Sequence, residues 1–249
     1  MIKRVLVVGG ASGIGLSIAV ELASRPAVEK VYVVDKAPFP TEYVNEKITS
    51  FCFDLKESDY SFFDQFDDIN ALMITAGFGK LALFKDIPES YIVDSFNVNT
   101  LPVLRLIKRF YPKLENPSDF YCGVMVSIAG FMSSPFFAVY GASKAALKIF
   151  IESVNVELEK SGSSNRILNV SPGSIKGTSF NAGKTDLSQT LSLTTDIISH
   201  LERKDDLFIP QYEEVFKNVL QRYHDDFRAE GVHSYEYKVS SGRIKLSND

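Results

Sequence analysis

A series of short apolar runs, separated by longer segments of helical character, is the feature that most constrains the fold. The runs are rich in Val, Ile, Leu and Phe, and most are apolar throughout, without strict alternation of polar and apolar residues. Strands that are buried on both faces of a parallel sheet have this pattern. The predicted strands are Arg4–Val8, Lys30–Val34, Ile48–Phe53, Ala71–Thr75, Gly123–Ser127 and Arg166–Val170.

The segments between these runs complete the pattern. Helices are predicted over Gly15–Ser24, Ser58–Phe66, Glu89–Leu114 and Pro135–Glu159. Strands that alternate with helices, joined by right-handed crossovers, build a doubly wound parallel sheet with helices on both faces. No repeat, low-complexity tract or long linker interrupts the 249 residues. The prediction is therefore an α/β fold with one domain over residues 1–249.

The composition narrows the possible functions. Hydrophobic residues make up 45% and charged residues 23% of the chain, as in soluble globular proteins. The net charge is −4 and no long basic run occurs, so a nucleic-acid partner has no electrostatic support. No apolar stretch is long enough to span a membrane, and the N-terminus lacks the features of a signal peptide, so a cytoplasmic location is expected. Cys52 and Cys122 are interpreted as reduced core thiols.

A glycine-rich stretch, GGASGIG at residues 9–15, follows the first predicted strand and opens the first helix. A sharp strand-to-helix turn needs residues that tolerate positive φ, and bare backbone lets a phosphate approach. The N–H groups of the helix N-terminus attract a pyrophosphate. The stretch lacks the GK[ST] of a P-loop, and the alternative is a turn without a ligand. The dinucleotide site predicted here consists of Gly9, Ser12, Gly13, Ile14 and Gly15.

An acidic residue follows at the distance expected for a ribose contact. Asp35 ends the second predicted strand, about 20 residues after the glycines. A carboxylate accepts hydrogen bonds from a ribose diol and repels a 2′-phosphate, which favours NAD over NADP. Lys36 beside it could tolerate a phosphate, so NADP remains possible. Asp35 could instead be only a turn residue before Pro38.

Two further turns extend the predicted cofactor site. Asp54 and Leu55, in FDL after the third strand, lie where a carboxylate could accept a bond from the adenine amino group. The fourth strand runs into TAG, where Ala76 and Gly77 would let the backbone pass close to the cofactor. Asp and Gly are common loop residues, so each turn carries weight only with the others.

Taken in order, these motifs make the chain similar to the short-chain dehydrogenase/reductase family. The match runs from about residue 3 to residue 180 and also includes VNT (98–100), SIAG (127–130), YGASK (140–144) and SPG (171–173). The resemblance implies a Rossmann-type fold and an NAD(P)-dependent oxidoreductase that acts on a secondary alcohol or carbonyl, and it suggests a homodimer or homotetramer. It also implies a catalytic set of Asn99, Ser127, Tyr140 and Lys144.

The chemistry of these residues suits a hydride transfer coupled to a proton transfer. Tyr140 would be the acid/base, and Lys144, one helical turn further, would lower the pKa of about 10 that a free tyrosine has. Ser127 would position the substrate oxygen. By analogy with the family, Asn99 would bend the backbone and hold a water behind Lys144. No Gly-x-Ser-x-Gly surrounds Ser127, so a serine hydrolase is disfavoured.

The resemblance implies further cofactor contacts near residue 175, and two residues of this chain differ from the family pattern. Pro172 and Gly173 would pass beside the nicotinamide amide, with Ile175 and Thr178 near it. Two positions depart from the family pattern, Val8 in place of threonine and Thr75 in place of asparagine. The second change is expected to weaken a bond that braces the strand. Tyr140 and Lys144 are expected to contact the cofactor as well.

The C-terminal third has the least family character. Residues 174–205 are rich in Gly, Ser and Thr and are expected to form a substrate loop or lid with a short amphipathic helix. A short strand is expected at 207–210 and a packed helix at 211–228. The tail, 231–249, is expected to be a small hairpin or disordered. This third lacks the paired-glycine strand end found in many members.

The substrate pocket is expected to be lined by residues after Gly79, by 131–137 and by the loop 177–200. Two other functions remain open from the residues alone. One is a regulatory protein that senses NAD(H) on the same fold without catalysis. The other is a sugar-nucleotide epimerase, which is disfavoured because such enzymes usually have longer chains.

Overall fold

The computed structural model describes residues 1–178, 180 and 185–244, and these build one seven-stranded sheet. The strand order is β3-β2-β1-β4-β5-β6-β7, and every neighbouring pair is parallel. The predicted doubly wound α/β fold is therefore confirmed. The strands are β1 Arg4–Val8, β2 Lys30–Asp35, β3 Ile48–Cys52, β4 Ala71–Ile74, β5 Tyr121–Met125, β6 Ile167–Val170 and β7 Leu207–Phe208.

Helices cover both faces of the sheet. Successive strand residues point to opposite faces, so Leu6 of β1 packs in one apolar cluster and Val7 in the other. The first cluster lies under α3 and α4, and the second under α1 and α5. Burial on both faces explains why the strands are apolar throughout. The helices are α1 Gly13–Ser24, α2 Glu89–Asn99, α3 Leu101–Glu115, α4 Ala138–Lys160, α5 Leu187–Arg203, α6 Lys217–Asp225 and α7 Phe227–Ser240.

Two predicted helices differ in the structure. The helix expected over 89–114 is divided at Thr100 into α2 and α3. Pro102 lies in the first turn of α3, where a missing N–H does no harm. The helix expected over 58–66 is only a 3₁₀ segment, Ser61–Gln65, because the aromatic rings of this segment pack under the sheet edge.

The C-terminal third differs most from its prediction. Most of the expected loop at 174–205 is α5, a helix of 17 residues whose Ile197 and Ile198 are fully buried. The helix expected at 211–228 is instead a π-helical turn, Tyr212–Phe216, followed by α6. Asp226 then separates α6 from α7, and its side chain caps α7 by accepting hydrogen bonds from two backbone N–H groups.

The expected hairpin in the tail is wrong over its described part, since α7 continues to residue 240; residues 245–249 lie outside the described part. Cys122 is buried as predicted, but Cys52 is exposed, because the outer end of the edge strand β3 is uncovered. Neither cysteine forms a disulfide. In the described ranges, no helix has the length and hydropathy of a membrane span.

Candidate active site

The carboxyl ends of the strands form one edge of the sheet, and a continuous cleft of about 1250 Å³ runs along it. All the residues predicted to contact a cofactor, from Gly9 to Thr178, line this cleft. Ser127, Tyr140 and Lys144 line it too, whereas Asn99 lies behind the wall, fully buried. The structure thus brings together residues that are more than 160 positions apart in the sequence.

The glycine loop holds β1 and β4 close together. Gly9 has a φ of +89°, and a Cβ there would lie 2.4 Å from the backbone N of Ala76, so only glycine fits without displacement. The Thr75 hydroxyl lies 3.1 Å from the carbonyl of Val8 and 2.9 Å from that of Gly9. Thr75 was expected to weaken the bond that braces this strand. Its hydroxyl instead joins the end of β4 to the end of β1.

The first turn of α1 presents backbone donors to the cleft. Among the residues that the structure describes, the N–H groups of Ile14 and Gly15 have no hydrogen-bond acceptor. The Gly13 N–H donates to the hydroxyl of Thr185 at 3.1 Å. Free N–H groups at a helix N-terminus, together with the helix dipole, form an anion-binding site. Thr185 escaped the sequence analysis because it lies in a segment taken for a loop.

The acidic residues lie at one end of the cleft. The two carboxylate oxygens of Asp35 accept bonds from the N–H groups of Ala11 and Ala37, both at 3.0 Å. These bonds fix the carboxylate at the end of β2 and leave free lone pairs on both oxygens. The Asp54 carboxylate accepts from the Lys56 N–H at 2.9 Å. Leu55 and Lys36 line the same end.

The other end of the cleft holds the tyrosine, lysine and serine. Tyr140 lies in the first turn of α4, and Lys144 one turn later; they are 8% and 3% exposed. The Lys144 ammonium nitrogen donates to the Met125 carbonyl at 2.7 Å and lies 5.9 Å from the centre of the Tyr140 ring. Ser127, just after β5, lines the cleft next to the phenol. The side chains of residues 140 and 144 therefore face the same space.

Burial dominates the titration of these groups. It raises the pKa of Tyr140 to about 12, against a smaller lowering by the hydrogen bond from Ser127. It also lowers the pKa of Lys144 to about 7. The expectation that the lysine would lower the pKa of the tyrosine is therefore wrong for the protein by itself, because desolvation disfavours both charged forms.

The hydrogen bonds of the Asn99 side chain join two segments of the protein. Its amide nitrogen donates to the Phe78 carbonyl at 2.9 Å and to the Ser143 hydroxyl at 3.1 Å, while its oxygen accepts from the Phe78 N–H at 2.9 Å. The side chain thereby ties the turn after β4 to α4, next to Lys144. The water expected behind the lysine stays a prediction.

The segment after β6 borders the same end. The Pro172 carbonyl accepts from the Ile128 N–H at 3.1 Å, which sets this segment against the serine. Thr178 is 7% exposed, and its hydroxyl donates to the Ile175 carbonyl at 3.0 Å. Gly173 lies where a Cβ would clash with the ring of Phe216.

The expected pocket lining is partly correct. Gly79, Ser134 and Phe137 line the cleft, whereas Phe131 and Phe136 do not. Phe136 turns away and stacks on Tyr235 at 4.5 Å. Of the described residues in 177–200, only Thr178 and Phe180 contribute, because α5 lies against α1 on a face of the sheet.

A further wall of the cleft comes from α6 and α7, which the sequence analysis did not include. Spacing of three and four residues along α7 places its contributing side chains on one helix face. These side chains are polar, which is why a search for apolar periodicity could not find them. The residues of α7 are Glu230, His233, Ser234, Tyr237 and Lys238, and α6 adds Val219 and Arg222.

Comparison with known proteins shows the family to which the chain belongs. The family model described as short chain dehydrogenase matches residues 3–188. The chain therefore belongs to the short-chain dehydrogenase family, whose members are oxidoreductases.

Two curated relatives show the degree of similarity. Retinol dehydrogenase 8 of Bos taurus is 27% identical over an alignment of 236 residues that covers 90% of this chain and 75% of that protein. Human 17-beta-hydroxysteroid dehydrogenase type 1 is 28% identical over an alignment of 169 residues that covers 62% of this chain and 59% of that protein. This chain thus spans about three fifths of the length of the human relative.

Solved structures share the fold. A short-chain dehydrogenase/reductase from Burkholderia phymatum, in complex with NAD, has a TM-score of 0.77 at 16% identity, over 92% of this chain and 95% of that one. An alcohol dehydrogenase from Thermococcus sibiricus, complexed with 5-hydroxy-NADP, has a TM-score of 0.69 at 18% identity, over 84% and 96%.

Proposed function

We propose that the protein is an NAD(P)-dependent oxidoreductase that interconverts a secondary alcohol and the corresponding carbonyl compound. One observation carries the proposal: Ser127, Tyr140 and Lys144 meet at one end of a cleft whose other end holds a free helix N-terminus and Asp35. A proton-transfer group and a dinucleotide site thus share one space.

The described residues fit a nicotinamide dinucleotide. The free N–H groups of α1 suit its pyrophosphate. Gly13 has no side chain to fill the open space beside them, where an added Cβ would meet no atom closer than 3.8 Å. Asp35 suits a ribose diol, which supports NAD over NADP, with Lys36 as the competing influence. When bound, the cofactor supplies or accepts the hydride.

Tyr140 is proposed as the general acid and base. With a pKa of about 12, its phenol holds a proton at neutral pH and can donate it to a carbonyl oxygen during reduction. Ser127 donates to the same oxygen and orients it. Lys144, whose pKa of about 7 lies near the working pH, can gain and lose a proton there and so return one toward the phenol.

Two of the relatives are named as dehydrogenases of retinol and of a 17-beta-hydroxysteroid. Both names describe the oxidation of a hydroxyl group on an apolar molecule. Phe137, Phe180 and Phe216 give the cleft of this chain apolar walls, which would suit an apolar substrate. We also propose that the protein assembles as a homodimer or homotetramer through α3 and α4.

Substitution of Tyr140 tests the mechanism. Tyr140→Phe should lower kcat by about a thousandfold for any alcohol or ketone that the wild type converts, while the affinity for NADH stays within about twofold, because the ring is retained. The matched control is Tyr91→Phe, since Tyr91 is a neighbouring tyrosine outside the cleft. Unchanged turnover in Tyr140→Phe would remove the mechanism.

Cofactor titration completes the test. Fluorescence titrations with NADH and NADPH should give tighter binding of NADH because of Asp35. A preference for NADPH would show that Lys36 outweighs the acid. If both bind but a panel of alcohols and ketones is never converted, the protein is better described as a sensor of NAD(H).

A further inference from the structure

Helix α7 turns its charged side toward the protein interior. Its two buried side chains are Glu230 and Lys238, whereas three of its apolar side chains, Phe227, Val232 and Tyr237, are 58%, 53% and 52% exposed. In the usual amphipathic arrangement the charged residues would be the exposed ones. Burying charge is unfavourable unless it is compensated, so departures of this kind point to functional surfaces.

The two buried charges of α7 are compensated differently. The Glu230 carboxylate is paired with Arg222 through two bonds of 2.7 and 3.1 Å, and His233 lies 3.7 Å from it. Lys238 is 7% exposed, and no carboxylate within ion-pair distance of it exists in the described part of the chain. Arg243, whose charge lowers the pKa of Lys238, is another cation, and both line the cleft.

The contacts of Lys238 leave two hydroxyl protons available. Its ammonium donates to the hydroxyl oxygens of Ser134 at 2.9 Å and Ser234 at 3.1 Å, and to the Pro135 carbonyl at 2.9 Å. A hydroxyl that accepts from a cation is a better donor in turn. Neither serine hydroxyl has an acceptor of its own within the described residues, and both serines line the cleft.

This cluster lies within reach of the reacting end of the cleft. The Lys238 ammonium is 5.8 Å from the centre of the Phe137 ring, and that ring is 5.3 Å from the ring of Tyr140. One phenylalanine thus separates the cationic cluster from the proton-transfer group. A substrate that spans both must combine a carbonyl carbon, an apolar stretch beside Phe137 and a negatively charged end.

We infer that Lys238, Ser134 and Ser234 form an oxyanion-binding subsite, and that the substrate is a ketone or alcohol with an acidic group at its far end. The ammonium supplies the charge, and the two hydroxyls donate to the oxyanion. Burial lowers the pKa of Lys238 to about 8, so the ammonium form still predominates at neutral pH. This inference of substrate class rests on the proposed function, but the subsite can be tested without turnover.

The binding experiment uses the full chain with saturating NADH. Linear carboxylic acids of four to twelve carbons, their methyl esters and the corresponding alkyl phosphates are titrated by calorimetry. At least one acid should bind at least tenfold more tightly than its ester, and comparison with the phosphate of equal length distinguishes a carboxylate site from a phosphate site. Equal binding of every acid, phosphate and ester would overturn the subsite.

Three variants locate the effect. Lys238→Met should lower acid binding at least tenfold and leave ester binding unchanged, and Lys238→Arg should restore part of it. Because Lys238 also holds α7, Ser234→Ala provides a variant that keeps the other two lysine contacts; it should weaken acid binding severalfold. Lys217→Met is the control, since this lysine lies on α6 outside the cleft and pairs with Glu213. If Lys217→Met weakens acid binding as much as Lys238→Met, the acids bind through the overall positive potential of the surface, and the subsite is overturned.

Turnover separates the subsite from the proposed function. Methyl ketones with a terminal carboxylate should be reduced with a kcat/KM at least tenfold above that of their methyl esters, and Lys238→Met should remove this difference through KM. Tight acid binding without reduction of any ketone would leave the subsite standing and count against the proposed function. Reduction of acids and esters at equal rates would overturn the subsite and leave the function intact.

Discussion

At the scale of single residues, Lys144 shows how the site exchanges stability for reactivity. Its ammonium is almost completely buried, and its hydrogen-bond acceptor is the uncharged Met125 carbonyl. Burial disfavours the charged form and lowers the pKa from 10.5 to about 7. A lysine that titrates near neutrality can take part in proton transfer, but it makes the folded state less favourable at low pH.

This cost gives a pH-dependent prediction for Lys144→Met. Because the folded-state pKa is below the unfolded-state value, the unfolded chain binds more protons between about pH 7 and pH 10. The destabilisation by Lys144 is thus fully present below pH 7 and is relieved as pH rises through this window. The free energy of unfolding of the wild type should therefore rise relative to that of the variant from about pH 7 to pH 9, with a slope approaching 1.4 kcal/mol per pH unit.

Urea unfolding at a series of pH values measures this difference. Lys148→Met is the control, since Lys148 lies one turn further along α4 and is paired with Glu152; its curve should run parallel to that of the wild type. Parallel curves for Lys144→Met and the wild type would show that the buried amine does not titrate in this range.

At the scale of secondary-structure elements, the break between α2 and α3 positions the reacting end of the cleft. Asn99 is the last residue of α2, and its amide holds both the N–H and the carbonyl of Phe78. Thr100, at the break, donates its hydroxyl to the Ser143 carbonyl at 3.0 Å. Two consecutive side chains therefore tie α4, which carries Tyr140, to the turn after β4.

Removing the first tie should separate positioning from chemistry. Asn99→Ala removes the side-chain partners of the part-buried N–H and carbonyl of Phe78, which should lower the free energy of unfolding by about 1–3 kcal/mol. The kcat should fall at least tenfold because α4 shifts relative to the turn, while the pH profile keeps its shape. Ser95→Ala, which removes a hydroxyl that donates to the Tyr91 carbonyl of the same helix at 2.7 Å, is the control. An Asn99→Ala variant with wild-type kcat would show that the tie does not serve catalysis.

The elements differ in how far the sequence predicts them. The strands and the glycine loop are predictable because two-sided burial and positive φ each demand particular residue types. Only a short amphipathic helix was expected where α5 lies. Its full length is not predictable, because Thr190 and Thr194, which look like loop residues, are fully buried and satisfy their hydroxyls, one of them on Ser17 of α1. In α7 the buried residues are charged, so no apolar period marks the helix. The cleft lining from α7 is missed for the same reason.

At the scale of the whole molecule, the strand order explains where the cleft lies. From β1 the chain builds outward through β2 and β3 and then returns to add β4 on the other side. The connections therefore diverge between β1 and β4, and a crevice opens at the carboxyl ends of the strands there. The glycine loop follows β1, and Ala76 and Gly77 follow β4, so the two turns proposed to contact the cofactor lie at this point of divergence.

The opposite surface of α4 leads to a prediction about assembly. Ile149 and Val156, two turns apart on one face of α4, are both 59% exposed, and Leu101 at the start of α3 is 48% exposed. Exposed apolar residues that recur along one helix face are typical of subunit contacts. We expect the wild type to elute from size exclusion as a dimer or tetramer of the 27.8 kDa chain.

The double substitution Ile149→Glu and Val156→Glu should shift the protein to a monomer, because each interface would then have to bury unpaired carboxylates. Light scattering coupled to size exclusion measures the mass, and circular dichroism checks that the fold is retained. Val232→Glu is the control, since Val232 is an equally exposed apolar residue (53%) on a different helix, α7, and its substitution should leave the mass unchanged. A monomeric wild type, or a double variant with the mass of the wild type, would show that this face of α4 does not hold subunits together.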